Sequence, residues 1–299
     1  YQIILSSLEE HESPLIDKKV RQALNYAVDK QAIIDSLFFG NAVALNGQVL
    51  RKPQIGFNPD LSDYPYDPDK ARALLAEAGY PDGFEITFKF PSGRYAQDRE
   101  VSEAVAGMLS EVGVKADMVA LEPGEFLRQL RAKELQPMAF VGLAPQDDPD
   151  LQVAQYHSTW RYSYIKNAEL DALIDAGKQE MDREKRVQIY KDAMALMHEE
   201  APIIFLYGGV DFYGTSAKLS NFMARGDGRF FLYDTDLSEL PHWRRPEADA
   251  SGRRPAHCPT RQPCHLIGYV DAAIRRPQTD PHPSGIARNP ADFVHADAY

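Results

Sequence analysis

"FEITFKF", residues 84 to 90, is the stretch from which the fold is read. Phe84, Ile86, Phe88 and Phe90 alternate with Glu85, Thr87 and Lys89. A period of two with one apolar face predicts a half-buried strand. A polar loop, "PSGRYAQD", follows. Val101, Ala104, Val105, Met108, Leu109 and Val112 then recur at helical spacing up to Gly113. "VKADMVAL" reads as a second strand, "PGEFLRQLRAKEL" as a second helix and "MAFVGLA" as a third strand. Strand–helix–strand–helix–strand over residues 84–144 predicts an α/β layer with crossover helices.

Outward from this unit the chain is helical on both sides. "SPLIDKKVRQALNYAVDKQAIIDSLFFGNA" predicts a helix pair capped by Asp17 and Asp29 and ended near Gly40. Residues 43–66 are irregular, with breaks at Pro53, Gly56, Pro59 and Pro65. In "YDPDKARALLAEAGYPDGF", Asp67 is the expected cap, Pro68 the first helical residue and Gly79 the stop. Two more helices are expected, from Asn167 to about Gly177 and from Asp182 to about Glu200, with Pro202 ending the second. "PIIFLYGGVDFYG" is then expected as a buried strand leaving the layer.

Composition excludes several classes. The 299 residues carry a net charge of −11, which argues against a nucleic-acid partner. No apolar run reaches the length of about eighteen residues that a membrane helix needs. The start, "YQIILSSLEEHESP", has no basic region and no methionine, so neither a signal peptide nor an intact N-terminus is expected. Composition changes after Leu240. The last 59 residues hold eight Arg, no Lys and six acids, a charge of +2, leaving −13 for the first 240. They also hold nine of 21 prolines, five of eight histidines and both cysteines. The cysteine-free body suits an exported protein. The tail, residues 241–299, is expected to be disordered, or to be a frameshifted or foreign coding segment; an in-frame continuation of the preceding pattern in the gene would support the latter.

Catalytic patterns are not found: there is no Gly-x-Ser-x-Gly, His-Glu-x-x-His or Gly-x-x-x-x-Gly-Lys. No enzyme, metal or cofactor is expected. His198, in "MHEEAP", reads as a helix-end histidine rather than a metal ligand. His257, Cys258, Cys264 and His265 match no structural-zinc spacing. In "FLYGGVDFYG" the aromatic residues read as strand core rather than a solute stack.

Ligands of open α/β sheets collect beyond the carboxyl ends of the strands. Two loops leave strand ends there and enter helix N-termini, which favour anionic groups. "PSGRYAQD" offers Arg94, suited to a carboxylate, and Tyr95, able to stack or donate; the alternative for Arg94 is a solvated surface charge. "APQDDPD" offers Pro145, Gln146 and Asp147, while Asp148 is better suited to capping a helix that starts at Pro149.

These segments together resemble the second half of the extracellular solute-binding proteins of ABC importers, in the oligopeptide-, dipeptide- and nickel-binding group, family 5. The resemblance runs over residues 5 to 237. It rests on "DKKVRQALNYAVDKQAII", on "YPYDPDKARALLAEAGYPDGFEITFKF" and on "NAELDALIDAGKQEMDREKRVQIYKDAMALMHEEAPIIFLY", in family order. It implies an incomplete type II periplasmic-binding-protein-like fold. Residues 1–16 would be a hinge or first-lobe strand, 17–202 the second lobe, and 203–240 the return to the hinge and first lobe. It implies a periplasmic or extracellular protein that closes on a peptide-like or conjugated solute and delivers it to a membrane permease, without chemistry. A dimer or partner chain would replace the missing lobe. The alternative is a truncated orphan lobe without transport activity, or a protein-interaction module.

The resemblance also bears on the two loops. "SGRYAQD" is similar to a family loop whose Arg and nearby Tyr face a bound peptide, which points to Arg94 and Tyr95. Peptide binders of the family carry an Asp four residues before the proline of an Asp-Pro pair, and it holds the peptide amine. Here that position is Pro145, so the amine anchor is absent unless a shift near Gly142 brings Asp147 into the role. A solute with a carboxylate but no obligatory ammonium is therefore expected, because a buried ammonium without a carboxylate costs several kcal/mol.

Overall fold

The computed structural model describes residues 1–144, 146, 148–225 and 230–237. The expected tail, residues 241–299, with its cysteine–histidine cluster, lies outside the described residues, as do Pro145 and Asp147. The chain divides into two units, Tyr1–Val210 and a second that begins at Asp211.

In the first unit the elements run β1 (Gln2–Leu5), α1 (Lys18–Tyr26), α2 (Lys30–Phe38), β2 (Ala42–Ala44), α3 (Pro68–Glu77) and β3 (Phe84–Pro91). There follow α4 (Asp98–Glu111), β4 (Val114–Leu121), α5 (Pro123–Ala132), β5 (Met138–Val141) and α6 (Pro149–Val153). The unit closes with α7 (Ala168–Gln179), α8 (Arg183–Glu200), β6 (Ile203–Phe205) and β7 (Tyr207–Gly209). In the second unit β8 (Leu219–Ser220) pairs with β11 (Asp236–Leu237), and β9 (Met223–Ala224) with β10 (Phe230–Phe231), both antiparallel.

The caps follow the sequence reading. Asp17, Asp29, Asp67, Asn167 and Asp182 each accept a backbone N–H of the first turn they precede. Pro68 opens α3, and Gly79 follows its end with φ +91°.

One five-stranded sheet organises the unit, in the order β4-β3-β5-β1-β6. β3 pairs in parallel with both β4 and β5, which is the expected α/β layer. β1 is antiparallel to β5 on one side and to β6 on the other. Residues 2–5, read from sequence as a hinge or first-lobe strand, thus form an interior strand of this sheet. The strand expected to leave the layer after Pro202 is two strands. β6 stays as the sheet edge, and β7 pairs with β2 in a separate ladder. The edge is protected: Asn25 on α1 donates to the Ile203 carbonyl at 2.9 Å and accepts the Phe205 N–H at 3.1 Å.

Alternation puts apolar side chains on both faces. Ile3, Leu5, Ile86, Phe88, Phe90, Met138 and Phe140 share a core with Val20 and Leu24 of α1 and Val101, Val105 and Leu109 of α4. Ile4, Ala139 and Val141 face the other way and pack with Phe126 of α5 and Tyr164. Each such buried side chain stabilises the fold by about 1.5–3 kcal/mol relative to exposure. A further core joins α7 and α8 to Leu45, Tyr64, Ile203 and Phe205. Phe205 and Tyr207 are fully buried, in keeping with strand core, whereas Phe212 is exposed and lies in no strand.

The start of the β3–β4 pair depends on one glycine. Gly83 has φ +75°, and a Cβ there would lie 1.8 Å from the Gly113 carbonyl oxygen. No side chain fits between these backbones, so the two strands begin in register.

Candidate functional site

The order β4-β3-β5 sets the position of the site. The chain moves outward from β3 through α4 to β4, then crosses back through α5 to β5 on the far side of β3. α4 packs in the core of one face and Phe126 of α5 in the core of the other. From its carboxyl end β3 thus sends the chain through α4 to β4 on one side, while β5, its neighbour on the other side, sends the chain into α6. This is a topological switch point, where open α/β sheets hold ligands.

The loop after β3 is built around Asp98. Its carboxylate accepts the N–H groups of Gly93 at 3.1 Å, Arg94 at 2.8 Å, Tyr95 at 3.0 Å and Arg99 at 3.0 Å. Asp98 is only 5% exposed. Four charge-assisted bonds to one buried anion fold residues 93–99 tightly around it. A carboxylate in the first turn of α4 also complements the helix dipole. Gln97, at φ 57°, makes the turn into the helix. Asp98 closes the loop quoted from the sequence, but nothing in its spacing distinguished it there from an ordinary first-turn acid.

Arg94 is exposed, with its guanidinium 5.3 Å from the centre of the Tyr95 ring. It makes no ion pair or side-chain hydrogen bond with a described residue, so its donors face outward. Tyr95 is set deeper. Its ring meets those of Tyr1 (5.5 Å), Phe140 (5.8 Å) and Phe126 (6.4 Å) edge to face. Its hydroxyl donates to the Gly142 carbonyl at 3.3 Å. That hydroxyl is thus engaged within the protein, and the ring is the platform on which Arg94 lies.

The loop after β5 begins at Gly142. A Cβ at this position would lie 2.7 Å from Tyr1 and 2.9 Å from Tyr95, so the glycine leaves room for both rings. Gln146 is part-buried. Its side chain turns back to the Ala144 carbonyl at 3.4 Å, and its own carbonyl accepts from Gln54 at 2.6 Å. Asp148 caps α6 through the Asp150 N–H and holds Arg186 with both carboxylate oxygens, at 2.8 and 3.2 Å. The Arg186 guanidinium keeps the Asp148 carboxyl below the ordinary carboxylate range. Of the five expected ligand residues, Arg94, Tyr95 and Gln146 thus lie on the two switch-point loops, while Pro145 and Asp147 lie outside the described residues.

Sequence reasoning missed a third loop. Gln54 accepts the Arg51 N–H at 2.7 Å while donating to Gln146, so residues 51–54 are tied to the loop after β5. The guanidinium of Arg51 lies against Gly208 on β7, and burial lowers its pKa. The irregular composition of residues 43–66 carries no periodic signal for this docking.

His198 is engaged structurally. Its Nδ1–H donates to the Gly47 carbonyl at 3.1 Å, and its ring stacks on Tyr64 at 4.4 Å. Among the described residues no three His, Cys, Asp or Glu side chains are grouped to hold a metal ion, and no helix is long and apolar enough to cross a membrane. A narrow cleft on the α5 face, lined among others by Leu130, Val141, Tyr156, Tyr162 and Tyr164, has no charged side chain in its wall.

Comparison with known proteins shows the family. Residues 3–163 match the family model of the bacterial extracellular solute-binding proteins, family 5 middle region. The chain is 32% identical over 234 residues to heme-binding protein A of Haemophilus influenzae, covering 75% of this chain and 42% of that protein. It is 34% identical over 214 residues to the dipeptide-binding protein of Escherichia coli, covering 67% and 39%. Among solved structures, HbpA2 of Haemophilus parasuis superposes with a TM-score of 0.68 at 26% identity, over 80% of this chain and 48% of that one. The chain spans less than half the length of these relatives.

Proposed function

The chain belongs to family 5 of the bacterial extracellular solute-binding proteins, and we propose that it acts in solute capture for an ABC importer. Within that role it supplies the α/β lobe whose switch-point loops grip the solute. The observation that carries this reading is the bond from Tyr95 to Gly142, which joins those loops beneath an outward-facing Arg94. The solute is peptide-like or conjugated and presents a carboxylate to Arg94; the ring of Tyr95 supplies the apolar surface beside it. On the other loop the candidate contacts are Pro145, Gln146 and Asp147. The lobe moves as one body against a second, about a hinge formed where the chain enters β1 and leaves β7. The role is binding and delivery to a membrane permease, outside the cytoplasmic membrane, with no bond made or broken in the solute. A partner chain or second copy supplies the opposing wall where the chain acts as it stands.

Thermal unfolding with a panel of short peptides, opines and sugar conjugates tests this. A solute bound only by the native state raises the midpoint. The expected result is a shift for one solute class that is lost in Arg94→Ala. A cooperative transition that no panel member shifts would favour an orphan lobe without transport activity.

A further inference from the structure

Among the described residues near the carboxyl edge of the sheet, the acids Asp98 and Asp148 and the arginines Arg51 and Arg94 differ in their engagement. Asp98 is consumed by four backbone N–H groups, and Asp148 by Arg186 and the α6 cap. Neither carboxylate is left for a neighbouring cation. Arg94 and Arg51 make no ion pair or side-chain hydrogen bond with any described residue. Arg51 is part-buried, and removal from water disfavours its charge. A partly desolvated guanidinium without an anion is a costly arrangement in isolation.

Its placement is specific. A Cβ on Gly208 would lie 2.6 Å from Arg51 Nη1, so the planar group rests on bare backbone. Gly209, next along β7, lies under the Tyr1 ring, with 2.9 Å from its would-be Cβ to that ring. Tyr1 in turn meets Tyr95, on which Arg94 lies. A continuous run of contacts thus links one guanidinium to the other across the switch point. Gln54 fixes the segment that bears Arg51 to the ligand loop through Gln146.

We propose that Arg51 is a second anion-binding residue of the site, so that the solute carries two acidic groups, one for Arg94 and one for Arg51. This rests on the solute-capture reading above and narrows it to dicarboxylates among peptide-like and conjugated solutes. The planar fork of each arginine takes a carboxylate bidentately, and an apolar tyrosine ridge separates the two.

The test is titration of the 299-residue chain at fixed ionic strength with N-succinylglycine, a dicarboxylate, and N-acetylglycine, a monocarboxylate. The readout is the Nε–Hε resonances of Arg51 and Arg94 in nitrogen–proton spectra, assigned by Arg51→Gln and Arg94→Gln. The dicarboxylate is expected to move both resonances saturably, with an affinity at least tenfold above that of the monocarboxylate. Gly208→Ala keeps the charge but displaces the guanidinium; it is expected to abolish the Arg51 response and the tenfold preference while Arg94 still responds. Movement of Arg94 without Arg51 would overturn the proposal and assign Arg51 to contact with another polypeptide. Stillness of both would overturn the solute-capture reading with it.

Discussion

The Tyr95 hydroxyl donates to the Gly142 carbonyl oxygen at 3.3 Å, joining the loops that leave the neighbouring strands β3 and β5. One hydrogen bond therefore sets the spacing of the two segments on which the expected ligand residues lie. The rings of Tyr1 and Tyr95 also fill the space that a side chain at position 142 would need.

Gly142→Ala should push the Tyr95 ring away and open the loops, whereas Tyr95→Phe removes only the bond. The first is expected to destabilise the chain by about 1–3 kcal/mol, as for other overpacked sites, and the second by about 1 kcal/mol. Chemical denaturation of both variants checks the order. Equal losses would mean that the rings do not constrain position 142.

Asp98→Ala leaves four backbone N–H groups without their acceptor. A loss of about 2–4 kcal/mol is expected, with fast amide exchange confined at first to residues 93–99. Asp98→Asn keeps one acceptor oxygen and should lose less. If Ala and Asn behave alike, the carboxylate does not organise the loop.

His198 gives a pH dependence with a defined sign. Burial holds its imidazole below the ordinary value of about 6.5, against the opposing pull of the Gly47 carbonyl and Asp63, while Lys30 adds to the lowering. Below about pH 6.5 the unfolded chain therefore binds the proton more readily than the native one. The contribution of neutral His198 is complete above that pH and is lost as pH falls toward the folded pKa, by at most about 1.4 kcal/mol per unit. Denaturation of the parent and of His198→Asn from pH 7.5 to 5 should show curves that converge on acidification. Parallel curves would contradict the assignment.

Asp148 has two separable roles. Asp148→Asn keeps the cap on α6 and loses the charge pair with Arg186, whereas Asp148→Ala loses both. The cap is worth about 1 kcal/mol. The pair, with Asp148 half exposed, is expected to couple by about 0.2–1 kcal/mol in a double-mutant cycle with Arg186→Met. A coupling near zero would reduce Arg186 to a packing role.

The frame of the molecule was open to sequence reading because its signals are local. The alternation of Phe84, Ile86, Phe88 and Phe90 marks β3 by itself, and Asp67, Pro68 and Gly79 bracket α3 within thirteen residues. Arg94 and Tyr95 were singled out as candidates because their loop lies between two such elements. Their environments were not legible. The engagement of the Tyr95 hydroxyl depends on Gly142, 47 residues away, and the docking of residues 51–54 on a contact from Gln54 to Gln146 across 92 residues. The sheet partners of β1 and β6 were not legible for the same reason. Short apolar runs look alike in sequence, and only pairing with β5 and Asn25 places them in the sheet.

The central claim is that solute is held where the loops after β3 and β5 meet. Amide hydrogen exchange, read by mass spectrometry with and without a solute that raises the unfolding midpoint, tests it most directly. Protection is predicted at residues 92–98 and 142–148, and its loss in Arg94→Ala. Protection confined to the cleft around Tyr156 and Tyr164, with both loops unchanged, would contradict it.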